Sequence, residues 1–261
     1  MNLQDHIRTI GLIGDYLPRK CGIATFTNDM YTALSGAYPH TAVQVVPVND
    51  TAEGYAYPPE VRFECVEQDI ASYQRAADFL NFNNVDVVSL QHEYGIYGGS
   101  AGSHILALVR ALKMPVVTTL HTVLERPDAH QKRVLKELAA LSARLAVMTA
   151  RSQRVLADVY GVAPEKIDLI PHGIPDTPFV DPIFCKDQFG VEGKTVLLTF
   201  GLLSPNKGIE YVIRALPRVV SEFPDLVYIV LGATHPHLLR HEGEAYRVRL
   251  ERMVAELGVK K

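Results

Sequence analysis

Thr199-Phe-Gly-Leu-Leu-Ser-Pro-Asn-Lys-Gly208 is the stretch from which the rest of the chain can be read. It leaves an apolar run over 195–200, turns at Gly201, and enters a segment whose apolar residues recur at helical spacing: Ile209, Val212, Ile213, Leu216, Val219 and Val220. Strand, glycine turn and helix start, in that order, open a βα unit. Free backbone N–H groups at a helix N-terminus, the positive end of the helix dipole and Lys207 beside them together suit a phosphate. The stretch is not a Walker A loop, because lysine precedes glycine and no serine or threonine follows to hold magnesium. Taken alone, it also reads as a plain strand-to-helix turn with a solvated lysine.

Downstream, a second apolar run spans 226–231, and a last helix is expected over 244–257 with Gly258 as its cap. Pro217 falls inside the apolar stripe and predicts a kink, since an interior proline costs on the order of 3 kcal/mol. Two strands leave open edges and an unburied face, so this part reads as the start of a sheet. Upstream, 176–194 holds prolines and little periodicity and reads as a linker. Before the linker, short β-branched runs alternate with helical patterns. Strands are expected over 9–13, 43–48, 61–66 (weaker), 85–90, 115–120, 145–148 and 167–170. Helices are expected from Ile23 to a stop at Gly36, over 69–82, from near Ser103 through Leu112, and over 131–142. The fold class is therefore α/β, with a Rossmann-like parallel-sheet lobe over 1–175 and the beginning of a second over 195–261.

Composition narrows the function. The 261 residues are 48% hydrophobic and 21% charged, as in an ordinary globular protein, and the net charge of −3 argues against a nucleic-acid surface. Cys21, Cys65 and Cys185 are scattered, with no CxxC pair, so neither a disulfide framework nor a zinc site is expected. The polar start of the chain lacks a signal-peptide core, and no stretch reaches the ~18–20 apolar residues of a spanning helix. The expected location is cytoplasmic.

The Lys207 stretch resembles the Gly-Arg-Leu-x-x-x-Lys-Gly loop of glycosyltransferase family 4, whose members have the GT-B fold of two Rossmann-like lobes. The resemblance implies that 1–175 is the acceptor-side lobe and 195–261 the donor lobe. It implies that Lys207, with Gly201 and Gly208, grips the diphosphate of a nucleotide sugar. Leu202 stands where the family has arginine, and leucine cannot fork onto phosphate oxygens. The family's glutamate pair, with seven residues between its members, also lacks a counterpart. Glu244 and Glu251 have six residues between them and read as a solvated helix face. A C-terminally truncated member is the expectation.

Further segments follow strand ends, where open α/β sheets bind ligands. The stretch from Leu12 to Phe26 resembles the family's glycine loop, with Cys21 in place of the first glycine and Gly22 as the second. His121 in Thr118-Thr-Leu-His-Thr122 resembles the histidine that contacts the transferred sugar, here expected to act through a positioned donor. In Gln91-His-Glu-Tyr94 the polar groups suit a hydroxylated acceptor, and Glu93 is the only strand-end carboxylate considered as a proton acceptor. Arg151 and His172 are read as cleft-lining or hinge positions. His235, His237 and His241 lack a carboxylate or cysteine at ligand spacing, so no metal is assigned.

The resemblance implies a metal-independent, retaining transfer of a hexose from a nucleotide diphosphate sugar, as co-substrate, to a glycan, lipid-linked or other hydroxyl acceptor. No further cofactor and no nucleic acid is implied. A lipid-linked acceptor needs no spanning helix, which leaves peripheral membrane contact open. The alternatives are an inert binding module of the same fold and a sugar-nucleotide epimerase.

Overall fold

The computed structural model describes residues 7–260. The polar start of the chain before Ile7 lies outside them. Two compact units divide the chain, Met1–Ile174 and Pro175–Lys261.

The first unit alternates strand and helix: β1 Thr9–Gly14, α1 Gly22–Ala37, β2 Ala42–Asn49, β3 Cys65–Val66, α2 Ile70–Phe82, β4 Val87–His92, α3 Ile105–Ala111, β5 Val116–Leu120, α4 Ala129–Leu141, β6 Arg144–Val147, α5 Ala150–Tyr160 and β7 Ile167–Leu169. The seven strands pair in the order β3-β2-β1-β4-β5-β6-β7, and every pairing is parallel. Connections run outward from β1 to β3, then return to place β4 on the other side of β1. This reversal is the switch point at which the carboxyl ends of neighbouring strands diverge and leave a crevice.

Local signals explain most of the helices. Asp69 caps α2 by accepting from the Ala71 N–H. Asp128 and Gln131 form a reciprocal capping box on α4. Gly161, in the left-handed conformation, ends α5. Four expectations are corrected. Gly36 does not stop α1, which runs to Ala37 and is closed at Tyr38. The strand over 61–66 shrinks to β3 plus a single bridge from Val61 to Val45. The region from Ser103 opens with a 3-10 turn, Ser100–Gly102, and α3 begins at Ile105. Helix α5 was not expected at all.

The second unit holds α6 Ile183–Lys186, β8 Thr195–Phe200, α7 Ile209–Glu222, β9 Leu226–Leu231, α8 Pro236–Glu242 and α9 Ala245–Glu256. Residues 176–194 are thus partly helical, with α6 and a 3-10 turn at Asp187–Phe189. β8 and β9 match their sequence bounds and pair in parallel. Helix α7 continues through Pro217 to Glu222. Leu203, Ile209, Ile213, Tyr246 and Leu250 form its small core. Among the described residues no helix is long and apolar enough to cross a membrane.

Candidate functional site

At the switch point the carboxyl ends of β1, β4 and β5 bring polar groups together. Gln91 is fully buried on β4, and its side-chain oxygen lies 3.1 Å from His121 Nε2. Its amide nitrogen donates to Ser89 Oγ at 3.2 Å. Gly14 makes room for it, because a Cβ there would lie 2.9 Å from that of Gln91. His121 follows β5, and its main-chain N–H donates to the His92 carbonyl at 3.0 Å. The Phe26 ring of α1 stands edge-on to His121 at 4.7 Å and to His172 at 5.7 Å, so one aromatic side chain joins two of the expected positions.

Burial, followed by the charge of His172, pushes His121 down to about 4. Burial and then His121 push His92 to about 3, and neither ring nitrogen of His92 has a hydrogen-bond partner among the described residues. Both rings are uncharged at neutral pH.

Glu93 takes a short hydrogen bond from the Thr122 hydroxyl and another from the Tyr94 N–H at 3.0 Å. It is not the only strand-end carboxylate. Asp15 follows β1 directly, is fully buried, and accepts from Arg19 at 2.7 Å and from the Cys21 thiol at 3.1 Å. Burial pushes its carboxyl up to about 6 against the pull of Arg19. Arg19 also donates to the Val48 carbonyl at 2.9 Å, which pins the β1–α1 loop to the end of β2. Sequence reasoning passed over Asp15 and Arg19, although an acid directly after a buried strand and a base four residues later were the available signal.

Gly22 opens α1, and beyond its chain neighbours and its own helix no atom of the described residues lies within 4 Å of where its Cβ would be, so the first turn is open to a ligand. Cys21 caps this helix through its sulfur, which accepts from the Ile23 N–H at 3.3 Å. All three cysteines are free thiols. Arg151 sits in the first turn of α5, exposed, and pairs at 2.7 Å with Glu125 rather than with the strand-end groups.

In the second unit, β8 runs into Gly201, whose φ of 116° lies in the left-handed region. Its N–H donates to Leu231 at 3.0 Å, and the Leu203 N–H donates to Ala233 at 2.8 Å, which ties the turn to the exit of β9. A Cβ on Gly232 would come within 1.8 Å of the Gly201 carbonyl oxygen, so this approach demands glycine, a need the sequence reading missed. A 3-10 turn, Pro205–Lys207, then leads to Gly208 at φ 65°, and among the described residues no side chain caps the N-terminus of α7. Lys207 is exposed, and no carboxylate pairs with it among the described residues. Leu202 is half-buried beside Leu203, the residue that enters the core.

The His237 and His241 rings lie 4.4 Å apart on α8. Among the described residues no group of three His, Cys, Asp or Glu side chains gathers to hold a metal. Glu244 and Glu251 both pair with Arg247, at 3.1 and 2.5 Å, and Glu244 also accepts from the Thr234 hydroxyl.

Residues 25–177 match the model of Glycosyltransferase Family 4. Over 166 residues the chain is 28% identical to a D-inositol 3-phosphate glycosyltransferase of Acidothermus cellulolyticus, a match covering 56% of this chain and 36% of that protein. It is 26% identical over 151 residues to a phosphatidyl-myo-inositol mannosyltransferase of Mycolicibacterium smegmatis, covering 56% and 38%. Each match thus spans little more than a third of the relative. In fold, 97% of the chain superimposes on 66% of a glycosyltransferase from Rickettsia africae, with a TM-score of 0.62 and 16% identity. The family match takes in well over half of the sequence, and the α/β architecture agrees with it: the chain belongs to glycosyltransferase family 4.

Proposed function

We propose that the protein transfers a hexose from a nucleotide diphosphate sugar to a hydroxyl acceptor, with retention at the anomeric carbon and without a metal. The carrying observation is the turn after β8: an exposed Lys207, with no carboxylate paired to it among the described residues, beside a helix N-terminus that no described side chain caps, held in shape by Gly201 and Gly208. Departure of the nucleotide builds negative charge on a diphosphate. A fixed cation and aligned amides stabilise that charge without reorganising, often the largest catalytic contribution. In this reading 195–261 receives the donor and 1–175 the acceptor.

His121 contacts the sugar, and Glu93 takes the proton of the acceptor hydroxyl. The uncovered first turn of α1 at Gly22 is open to a polar group of the acceptor. Arg151 and His172 border the acceptor side. The names of the two relatives make an inositol-type hydroxyl the first acceptor to try, free or lipid-linked. A lipid-linked acceptor would bring the protein to a membrane surface from the cytoplasm.

Calorimetry with UDP-, GDP- and ADP-sugars tests the donor half, and one of them should give saturable heat. Replacing Lys207 with alanine should lower turnover by ~10²–10³, the usual effect of removing one such stabilising group. Near-normal turnover in Lys207→Ala would defeat the assignment. Product analysis in EDTA, with and without acceptor, distinguishes transfer from epimerisation and tests the independence from metal.

A further inference from the structure

We propose that Gln91 is a positioning residue for His121: its buried amide oxygen takes the proton-bearing Nε2 and leaves Nδ1 as a lone-pair acceptor for a sugar hydroxyl. The hydroxyl half rests on the glycosyl-transfer reading, and the hydrogen-bond half does not.

An amide oxygen only accepts, so a ring nitrogen 3.1 Å from it carries the proton. The amide group is oriented from its other side, where its nitrogen donates to Ser89 Oγ at 3.2 Å. Packing and hydrogen bonds restrain both partners. Gln91 is fully buried and fills the space left over Gly14, where even a methyl carbon would come within 2.9 Å. The imidazole is held by the edge-on Phe26 ring at 4.7 Å and by its main-chain bond to His92.

A neutral imidazole has one donor and one acceptor nitrogen. With the donor taken by Gln91, the ring offers a ligand only an acceptor, a departure from the donor role expected from sequence. The surroundings keep it neutral. β4 presents the uncharged Gln91 and His92, α1 presents Phe26, and the segment after β7 presents His172. The Glu93 carboxylate is already held by Thr122. A neutral acceptor selects a ligand group that donates, which a sugar hydroxyl does and a phosphate oxygen does not.

The test is a pH series of long-range ¹H–¹⁵N correlation spectra on the ¹⁵N-labelled chain. Wild-type His121 should appear as the Nε2–H tautomer and stay neutral down to pH 5. Gln91→Glu places an anion on Nε2 and should raise proton affinity at least ten-fold, moving the midpoint up by about one pH unit or more. Gln91→Met, of similar volume, should keep the ring neutral but mix the tautomers. A wild-type Nδ1–H tautomer, a midpoint near that of free histidine, or tautomers unchanged in Gln91→Met would overturn the positioning role. The wild-type spectrum and Gln91→Met decide the matter if Gln91→Glu does not fold. Saturation with a nucleotide sugar that gives calorimetric heat should shift the Nδ1 resonance. Heat without that shift overturns the acceptor half. Expected tautomers with no heat from any nucleotide sugar would leave Gln91 in its role and remove the glycosyl-transfer reading instead.

Discussion

The two sheets are made from the same kind of βα unit and sealed to different degrees. In Met1–Ile174, β1 and β4 have neighbours on both edges, and Leu12, Ile13, Val88 and Leu90 are fully buried. Tyr73, Ala76, Leu80, Ile105 and Leu108 of α2 and α3 share one core with Ile13, Val88 and Leu90, while Leu12 packs with Tyr16 and Val45 in a second cluster. In Pro175–Lys261, β8 has one neighbour among the described residues, and Leu197, Leu198 and Phe200 are 41%, 55% and 75% exposed. Yet the turn after β8 is as completely formed as the one after β5. It needs backbone bonds from Gly201 and Leu203 to the exit of β9 and two left-handed glycines, all of them local. Shaping a ligand turn is a matter of strand ends and φ values, whereas sealing a core requires layers on both faces of the sheet.

The sharpest way to break this contrast is to make a hole in the sealed side. Leu108→Ala removes a fully buried side chain of α3 and should cost about 2–5 kcal/mol. Urea denaturation followed through amide exchange of β4 measures it. A loss under about 1 kcal/mol would mean that the helical layer over the sheet is far looser than its burial indicates.

Acid should act on the same side. His92 is buried and neutral, its proton affinity pushed from the usual 6.5 to about 3. Between those values the unfolded chain binds the proton and the native one does not, so stability is full above pH 6.5 and is lost as pH falls. From pH 6.5 to 5 the loss from His92 is about 2 kcal/mol by linkage. His121, lowered to about 4, pulls in the same direction. Asp15 opposes them: raised to about 6, it contributes stability present below its unfolded 3.8 and lost as pH rises through 6. His92→Phe should flatten the acid slope of the wild type in paired melts at pH 6.5 and 5. An unchanged slope would remove His92 as its source.

What the sequence revealed follows the same division between local and distant causes. β8 and β9 were legible to the residue because each is a short apolar run with a turn behind it. Helix α5 was not, because Val155, Leu156 and Tyr160 are interleaved with Arg151, Arg154 and Asp158 and too few turns repeat the pattern. β3 was overextended, since only neighbouring strands decide how long an edge run stays paired. At the site, Lys207 and His121 could be picked out by position after strand ends. The Gln91–His121 bond could not, because it needs β4 and β5 side by side with Gln91 opposite Thr119. The Asp15–Arg19 pair was within local reach, an acid directly after a buried strand with a base four residues on.

Glycine exchanges sharpen the contrast from the other side. Gly208 sits at φ 65° with Tyr211 Cδ2 3.1 Å from where a Cβ would stand, so Gly208→Ala should cost about 1–2 kcal/mol and loosen the turn beside Lys207. Gly36 lies inside α1, exposed, with nothing near its Cβ position, so Gly36→Ala should stabilise by about 0.5–1 kcal/mol. Thermal melts of both variants decide whether the two glycines differ in the way their backbones indicate. Equal effects of one sign would contradict the left-handed turn at Gly208.

The smallest expected effect bears most directly on the open sheet. Leu198 points from β8 with more than half of its surface in solvent, paired in register with Ile229 and not part of the small core around Ile213 and Leu250. Leu198→Thr puts a β-branched residue, favoured in strands, in place of leucine at an exposed position, so it should change stability by no more than about 0.5 kcal/mol. The same exchange removes exposed apolar surface and should lower both self-association and binding of a hydrophobic dye. A loss above about 1 kcal/mol would mean that this face is covered in solution, and the dye signal would then rise rather than fall. Either result fixes whether the Lys207 turn rests on an open two-stranded sheet or on a sealed one, because only a covered Leu198 has packing to lose.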